Sequence, residues 1–264
     1  MNNKIDIKFK YLKERGKKAF IAYLTVGFPD IETNLKLVLE MEKRGVDMIE
    51  LGIPFSDPIA DGPTIQASSQ ASLARGTTPA DALLLAAEIR KHSSIPLILM
   101  GYLNPFLHPN PGNLAKNLAR AGIDGVIIPD LPPEASDSIR EALMAKGIHT
   151  IFLLAPTSRP DRIKLVARKS EGFIYYVSHT GVTGARKKIS GELAGKVREI
   201  KKNTDLPVAV GFGISTRDQL LRVWKTADGA IVGSALIKPF LEEPSPERGL
   251  KKCLLLLDNL TKKK

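Results

Sequence analysis

Three carboxylates fall within one short stretch, IELGIPFSDPIADGP, which runs from Ile49 to Pro63. Glu50 sits inside an apolar run. Asp57 and Asp61 follow in a loop stiffened by Pro54, Pro58 and Pro63, each of which fixes φ and removes a backbone donor. A carboxylate in apolar surroundings is desolvated. Its pKa rises, which suits a general acid or base near neutral pH. The plainer reading of Glu50 is an ion pair with a rim Lys or Arg. Asp57-Pro58 and Asp61-Gly62-Pro63 are also ordinary turn signals, so for these two aspartates turn chemistry and function both stay open.

Glycine-rich loops form the second group of candidates. SHTGVTGARKK (178–188) has Gly181 and Gly184 bracketing Val-Thr and is long enough to act as a lid. GFGIS (211–215) is followed by Thr216, so that Ser215 and Thr216 are helix-cap candidates. VGSAL (232–236) is equally small in its side chains. Small residues let backbone N–H groups approach an anion, as in the phosphate sites many barrels build after their seventh and eighth strands. Lys238 lies past the last motif and reads as surface. The four histidines (His92, His108, His149, His179) are far apart and Cys253 is alone, so neither a metal site nor a disulfide is expected.

These groups need elements to position them. Eight apolar runs alternate with helix-period segments: 19–27, 46–53, 96–102, 125–130, 149–155, 173–178, 207–213 and 229–236. In the segment after the first, Leu35, Val38, Leu39 and Met41 mark the apolar face. Gly45, Gly122 and Gly147 close helices before the next strand. Strands alternating with helices imply parallel crossover units, and continuously apolar strands imply cover on both faces. The prediction is α/β: a (β/α)8 TIM barrel with an extra N-terminal helix before residue 18 lying across the barrel's bottom. A doubly wound open sheet is the rival, and it lacks its G-x-G-x-x-G turn here. No linker breaks residues 1–264, which read as a single domain. Strand alternation puts Val46, Met48 and Glu50 on the inward face and Ile49, Leu51 and Ile53 under the helices. Catalytic groups in such barrels gather at the strands' C-terminal ends, so Glu50 belongs near the mouth.

Composition narrows the class. The chain has 264 residues, 43% hydrophobic and 25% charged, with a formal net charge of +11. No apolar run reaches the roughly 18 residues of a membrane span, and the N-terminus has no apolar signal core. One cysteine fits a reducing cytoplasm. The basic excess is concentrated at the two ends and has no aromatic interleaving, so a solvated surface is expected rather than a nucleic-acid face, with steering of an anionic substrate as a side benefit. From the residues alone, this is a barrel enzyme acting by acid–base chemistry on a phosphorylated small molecule.

The stretch ELGIPFSDPIADGPTIQ, followed in order by SHTGVTG, GFGIS and VGSAL, resembles the tryptophan synthase α subunit family over almost the whole chain. The resemblance implies retro-aldol cleavage of indole-3-glycerol phosphate to indole and glyceraldehyde 3-phosphate. It implies Glu50 as general acid and base, and Asp61 as the carboxylate that holds the indole N–H. It further implies Thr183 bonding Asp61 on loop closure, Tyr175 beside Glu50, and Tyr23, Tyr102 and Phe212 among the substrate-binding residues. Gly184, Gly213, Gly233 and Ser234 match the phosphate positions. The family also implies a pyridoxal-phosphate β subunit, an α2β2 heterotetramer and passage of indole between subunits, with Asp57 and Asp130 facing the partner. No cofactor is expected in this chain itself.

Two positions depart from the family pattern. His179 stands where Arg is expected, and Phe28 where Asp is frequent. Neither touches the Glu50 and Asp61 pair. The alternatives are a catalytically weakened α subunit that mainly activates the β subunit, and a free-standing indole-releasing lyase.

Overall fold

The computed structural model describes residues 3–107, 111–178, 186–211 and 213–262. Parallel strands run β1 (Ala19–Thr25), β2 (Met48–Gly52), β3 (Leu97–Met100), β4 (Gly125–Ile127), β5 (His149–Ile151), β6 (Leu153–Leu154), β7 (Ile174–Val177), β8 (Val208–Gly211) and β9 (Gly229–Val232). Their order in the sheet is β5-β4-β3-β2-β1-β9-β8-β7-β6. The two ends of that order are consecutive pieces of one run, broken at Phe152. Ile151 pairs with Ile127 on one side and Leu153 with Tyr175 on the other. The fifth apolar run therefore closes the sheet into the expected eight-run barrel.

Helices alternate with the strands. They are α1 (Lys4–Glu14), α2 (Ile31–Lys43), α3 (Pro63–Leu73), α4 (Pro79–Arg90), α5 (Leu103–Leu107), α6 (Leu114–Ala121), α7 (Asp137–Met144), α8 (Pro160–Lys169), α9 (Arg186–Lys201), α10 (Arg217–Trp224), α11 (Ser234–Glu242) and α12 (Pro246–Thr261). Gly45, Gly122 and Gly147 carry φ values of 86°, 76° and 71°, the left-handed turn a glycine takes after a helix without a Cβ penalty. On α2 the buried apolar residues are Leu37, Val38 and Met41. Leu35 and Leu39 are only half-buried. The apolar face is thus shifted from the sequence expectation, because α2 also packs sideways against α4 and α12.

Two layers of core follow from strand alternation. An inner cluster fills the barrel with Ala19, Ile21, Met48, Ile98, Ile127, Ile151, Ala209 and Ile231, and α1 adds Ile5, Phe9 and Leu12 to it. Ile49, Leu51 and Ile53 belong to the outer layer, under the helices. Val46 does too, against expectation. It precedes β2, which begins at Met48, so the alternation does not reach it.

The bottom of the barrel is plugged by α1. A Cβ on Gly125 would stand 2.8 Å from Ile5 Cδ1, so the missing side chain is what lets Ile5 enter. Phe9 packs on Phe173 with ring centroids 5.6 Å apart. Asn3 caps the helix by accepting from Ile5 N, and its amide donates to Asp124 O and Gly147 O. Burying Ile5, Phe9 and Leu12 stabilises the plug by about 1.5–3 kcal/mol each. The polar face is tied down by His149 Nε2, 2.7 Å from Asp6 Oδ2. With the bottom sealed, the opposite, C-terminal end of the strands is the open one.

Candidate active site

Glu50 lies on β2 between Tyr23 of β1 and Ile98 of β3, in register with both. Ile98 faces the barrel interior, and Glu50 shares that face. It is 0% exposed. Neither carboxylate oxygen has a hydrogen-bond partner among the described residues, so the plainer reading of a rim ion pair is not what the structure holds. Burial, and secondly the charge of Asp61, push its pKa up to about 8. A buried polar group left unpaired costs on the order of 1–3 kcal/mol. A fold keeps such a group where a ligand or a reaction uses it.

Two tyrosines flank Glu50. Tyr23 is 8% exposed, and its hydroxyl would lie 2.1 Å from a Cβ on Gly52. Tyr175, on β7, would come within 2.5 Å of a Cβ on Gly211. Both glycines lie one step further toward the mouth on the inward face, and each leaves the space its neighbour's tyrosine occupies. Burial raises both phenol pKa values. Asp61 is the next contributor at Tyr23 and Glu50 at Tyr175. Both hydroxyls therefore stay protonated. Gly52 was missed in the sequence, although a two-residue count from Glu50 reaches it directly, and Gly211 was noted there only as part of GFGIS, not as room for Tyr175.

Asp61 is brought over this end by the β2–α3 loop. Its backbone N donates to Pro58 O, and Gln66 Nε2 donates to its carbonyl. The Tyr102 hydroxyl, from the end of the third run, donates to Asp61 Oδ2 at 3.2 Å and accepts from Ala60 N at 2.9 Å. Tyr102 also stacks on Phe55 of the same loop, with centroids 5.1 Å apart. It is thus a clamp on the loop. Burial raises the Asp61 pKa, against the Tyr102 hydrogen bond. Burial also pushes the Tyr102 phenol up to about 12.

The floor of the loop is equally fixed. Thr25 Oγ1 and Ser68 Oγ are 2.7 Å apart, and Ser72 Oγ donates to Val26 O. Both hydrogen bonds pin α3 to the end of β1.

Gly213 and Gly233 follow the C-terminal ends of β8 and β9, at the same end of the barrel. Gly233 is the N-cap of α11 and Ser234 its first residue; the first turn of a helix leaves N–H groups without intrahelical partners. Gly213 is exposed, and a Cβ there would meet nothing within 4 Å. Thr216 caps α10 through Gln219 N, while Gln219 Oε1 accepts from Ser215 N and Thr216 N. That box stiffens the loop beyond Gly213. Phe28 packs edge-on to Phe240 of α11, which gives the departing residue a place in the core. Lys238 faces outward beside Glu242.

Other expected positions stand apart from this cluster. Asp57 is exposed and accepts from the Ser56 hydroxyl. It lies two residues from Ile59, which is 85% exposed. Asp130 accepts from Leu103 N at 2.8 Å and so caps α5, next to Tyr102. Thr183, Gly184, His179 and Phe212 lie outside the described residues. Among the described residues, no group of three or more His, Cys, Asp and Glu side chains could hold a metal ion. No described helix is long and apolar enough to cross a membrane.

The family model of the tryptophan synthase alpha chain matches residues 9–263. The chain belongs to the tryptophan synthase alpha chain family. Among its relatives, the alpha chain of Geobacter sp. (strain M21) is 48% identical over 238 residues, 90% of this chain and 89% of the relative. That of Dehalococcoides mccartyi (strain ATCC BAA-2100 / JCM 16839 / KCTC 5957 / BAV1) is 50% identical over 232 residues, 88% and 91% of the two chains. A crystal structure of tryptophan synthase subunit alpha from Legionella pneumophila str. Paris superposes with a TM-score of 0.91 at 35% identity, covering 99% and 98% of the two chains. A Pyrococcus furiosus structure, described as the basis of mutual activation of the tryptophan synthase α2β2 complex, gives 0.85 at 37% identity, over 92% and 97%. The alpha chain fold and the barrel read from the sequence are therefore the same architecture.

Proposed function

We propose that this chain is the alpha subunit of a tryptophan synthase and cleaves indole-3-glycerol phosphate to indole and glyceraldehyde 3-phosphate. The buried, unpartnered carboxyl of Glu50 carries this reading. With a pKa of about 8, Glu50 is mostly protonated at neutral pH and ready to give its proton to indole C3. The resulting carboxylate takes the proton of the hydroxyl on the adjacent glycerol carbon. The bond between C3 and that carbon then breaks. Its electrons return to the ring, the hydroxyl carbon becomes the aldehyde, and Glu50 ends as it began, protonated.

Asp61 holds the indole N–H while positive charge builds on N1, an electrostatic role that gains from water exclusion. Tyr102 keeps that carboxylate aimed. Tyr23, Tyr175 and Phe212 line the indole. Gly184, Gly213, Gly233 and Ser234 hold the phosphate with backbone donors and the α11 N-terminus, and Thr183 completes the site on closure. Indole passes to a pyridoxal-phosphate β subunit in an α2β2 assembly, toward which Asp57 and Asp130 face. The Pyrococcus furiosus complex supports that partnership. The test is indole release from indole-3-glycerol phosphate, with and without a β subunit. Release without it and faster release with it is the expected result. No release in either condition overturns the lyase reading, and equal release in both overturns the coupling.

A further inference from the structure

At the sealed end of the barrel, away from Glu50 and Asp61, α1 and the loops entering β8, β9 and β1 enclose a cavity of about 570 Å³. That falls in the range of roughly 300–1,000 Å³ typical of small-molecule sites. Its floor is apolar, with Phe9, Leu12 and Leu206, and its rim carries Lys10, Lys13, Lys17, Lys18 and Lys201. Three aspartates also line it, and two of them are already engaged. Asp6 is 2.7 Å from His149. Asp228 is shared by Lys18 at 3.2 Å and Lys201 at 2.7 Å, one carboxylate between two ammonium groups.

Lys10, Lys13 and Lys17 form no ion pair among the described residues. Lys17 feels Asp47 only at longer range. Their mutual repulsion is tolerated because the heads reach water. The third aspartate, Asp205, is exposed and offsets one of these charges, so the rim keeps a net positive arc around an apolar floor.

We propose that this cavity binds a small organic polyanion, with two or more phosphate or carboxylate groups on an apolar skeleton, between the α1 lysines and the loops entering β8 and β9. The anionic groups meet Lys10, Lys13 and Lys17 and the surplus charge of the Lys18–Asp228–Lys201 cluster. The skeleton lies on Leu206 and the α1 stripe. Such a ligand would bridge the plug helix to the barrel, so binding stabilises the folded chain by mass action. The concave shape and the confinement of these lysines to one hollow favour a small molecule over a nucleic acid, whose backbone needs an extended basic track.

The probes are citrate and pyrophosphate, titrated into the full chain by calorimetry at constant ionic strength. One saturable site is expected. Its affinity falls by about tenfold or more in the Lys10→Ala/Lys13→Ala/Lys17→Ala variant, as the loss of several partly screened charge contacts implies. These side chains lie at the surface, and an unchanged circular dichroism spectrum checks the fold. A Ser234→Asp variant, which blocks the anion end of α11 at the opposite mouth, retains the binding. The proposal is overturned if wild type shows no saturable binding of either probe. It is also overturned if the triple variant binds as wild type does, or if Ser234→Asp abolishes the binding.

Discussion

A single side chain concentrates the cost of this fold and, in the proposed reaction, its chemistry. Glu50 is buried without a hydrogen-bond partner among the described residues, and its folded-state pKa of about 8 lies well above the ordinary carboxylate value. Between these two values the native state binds more protons than the unfolded chain. Stability therefore falls as pH rises through that window and levels off above about 8. Glu50→Gln removes the titration, and it should stabilise the protein at neutral pH by about 1–3 kcal/mol, less than the full shift because the buried amide is itself unpaired. The gap over wild type should widen from pH 5 to pH 8 in denaturant melts; a Gln variant less stable than wild type throughout would show that Glu50 is satisfied in some other way. The kcat/KM profile should carry an alkaline limb near pH 8 in wild type, since the first step needs the protonated acid. The position of Glu50 was legible because strand period fixes which way it points. Its isolation was not, since the absence of a partner depends on every neighbouring strand.

Tyr102 belongs to the same scale. One hydroxyl serves both Asp61 Oδ2 and Ala60 N. Tyr102→Phe keeps the ring and its stack on Phe55 but loses both hydrogen bonds, worth about 0.5–1.5 kcal/mol each. We expect kcat/KM to fall by about tenfold and the loss to be non-additive with Asp61→Asn in a double-mutant cycle. Full additivity would separate Tyr102 from Asp61. In the sequence Asp61 could be a turn residue or a functional one. The Tyr102 contact that holds its carboxylate in place spans 41 positions, beyond the reach of local spacing.

At the scale of elements, the site depends on strands that leave room and a helix that seals the far end. Gly52→Ala would set a methyl 2.1 Å from the Tyr23 hydroxyl. Overpacking of that kind costs about 1–3 kcal/mol, and the displaced ring should lower kcat/KM while the circular dichroism spectrum is retained. Wild-type kinetics in this variant would mean that Tyr23 has no fixed place.

The plug has its own pH dependence. At His149, burial alone would lower the pKa, but Asp6 and Glu171 outweigh it and bring it to about 9. The imidazolium is bound more tightly in the folded state. Its contribution is therefore complete below the unfolded value near 6.5 and is lost as pH rises through about 9. The protection factors of the α1 amides, corrected for base-catalysed intrinsic exchange, should fall across that range in wild type and stay constant in His149→Gln. A protection pattern that ignores pH in both proteins would remove the tether. The N-terminal helix was readable from its position ahead of the first strand, and so were the eight runs. The break at Phe152 and the shifted face of α2 were not, because both answer to neighbours distant in the chain.

Across the whole molecule, strand order does the sorting. Parallel strands send every C-terminal end to one mouth, and Glu50, Asp61, Gly213 and Ser234 meet there although the sequence separates them widely. The net charge of +11 is distributed with the same asymmetry, since lysines of α1 collect at the sealed end. Barrel architecture and the list of acidic and glycine candidates were open to sequence reasoning because period and spacing are local quantities. The cavity under α1 was not, since it is made by the approach of residues from both ends of the chain.

The central claim is that Glu50 moves the protons of indole-3-glycerol phosphate cleavage. It is tested most directly by single-turnover indole release from that substrate, comparing wild type with Glu50→Gln in the presence of a β subunit. The account predicts that the variant still binds the phosphorylated substrate, that release falls by about 10²–10⁴-fold, and that the alkaline limb near pH 8 disappears. Release at the wild-type rate, with the pH profile unchanged, would contradict it.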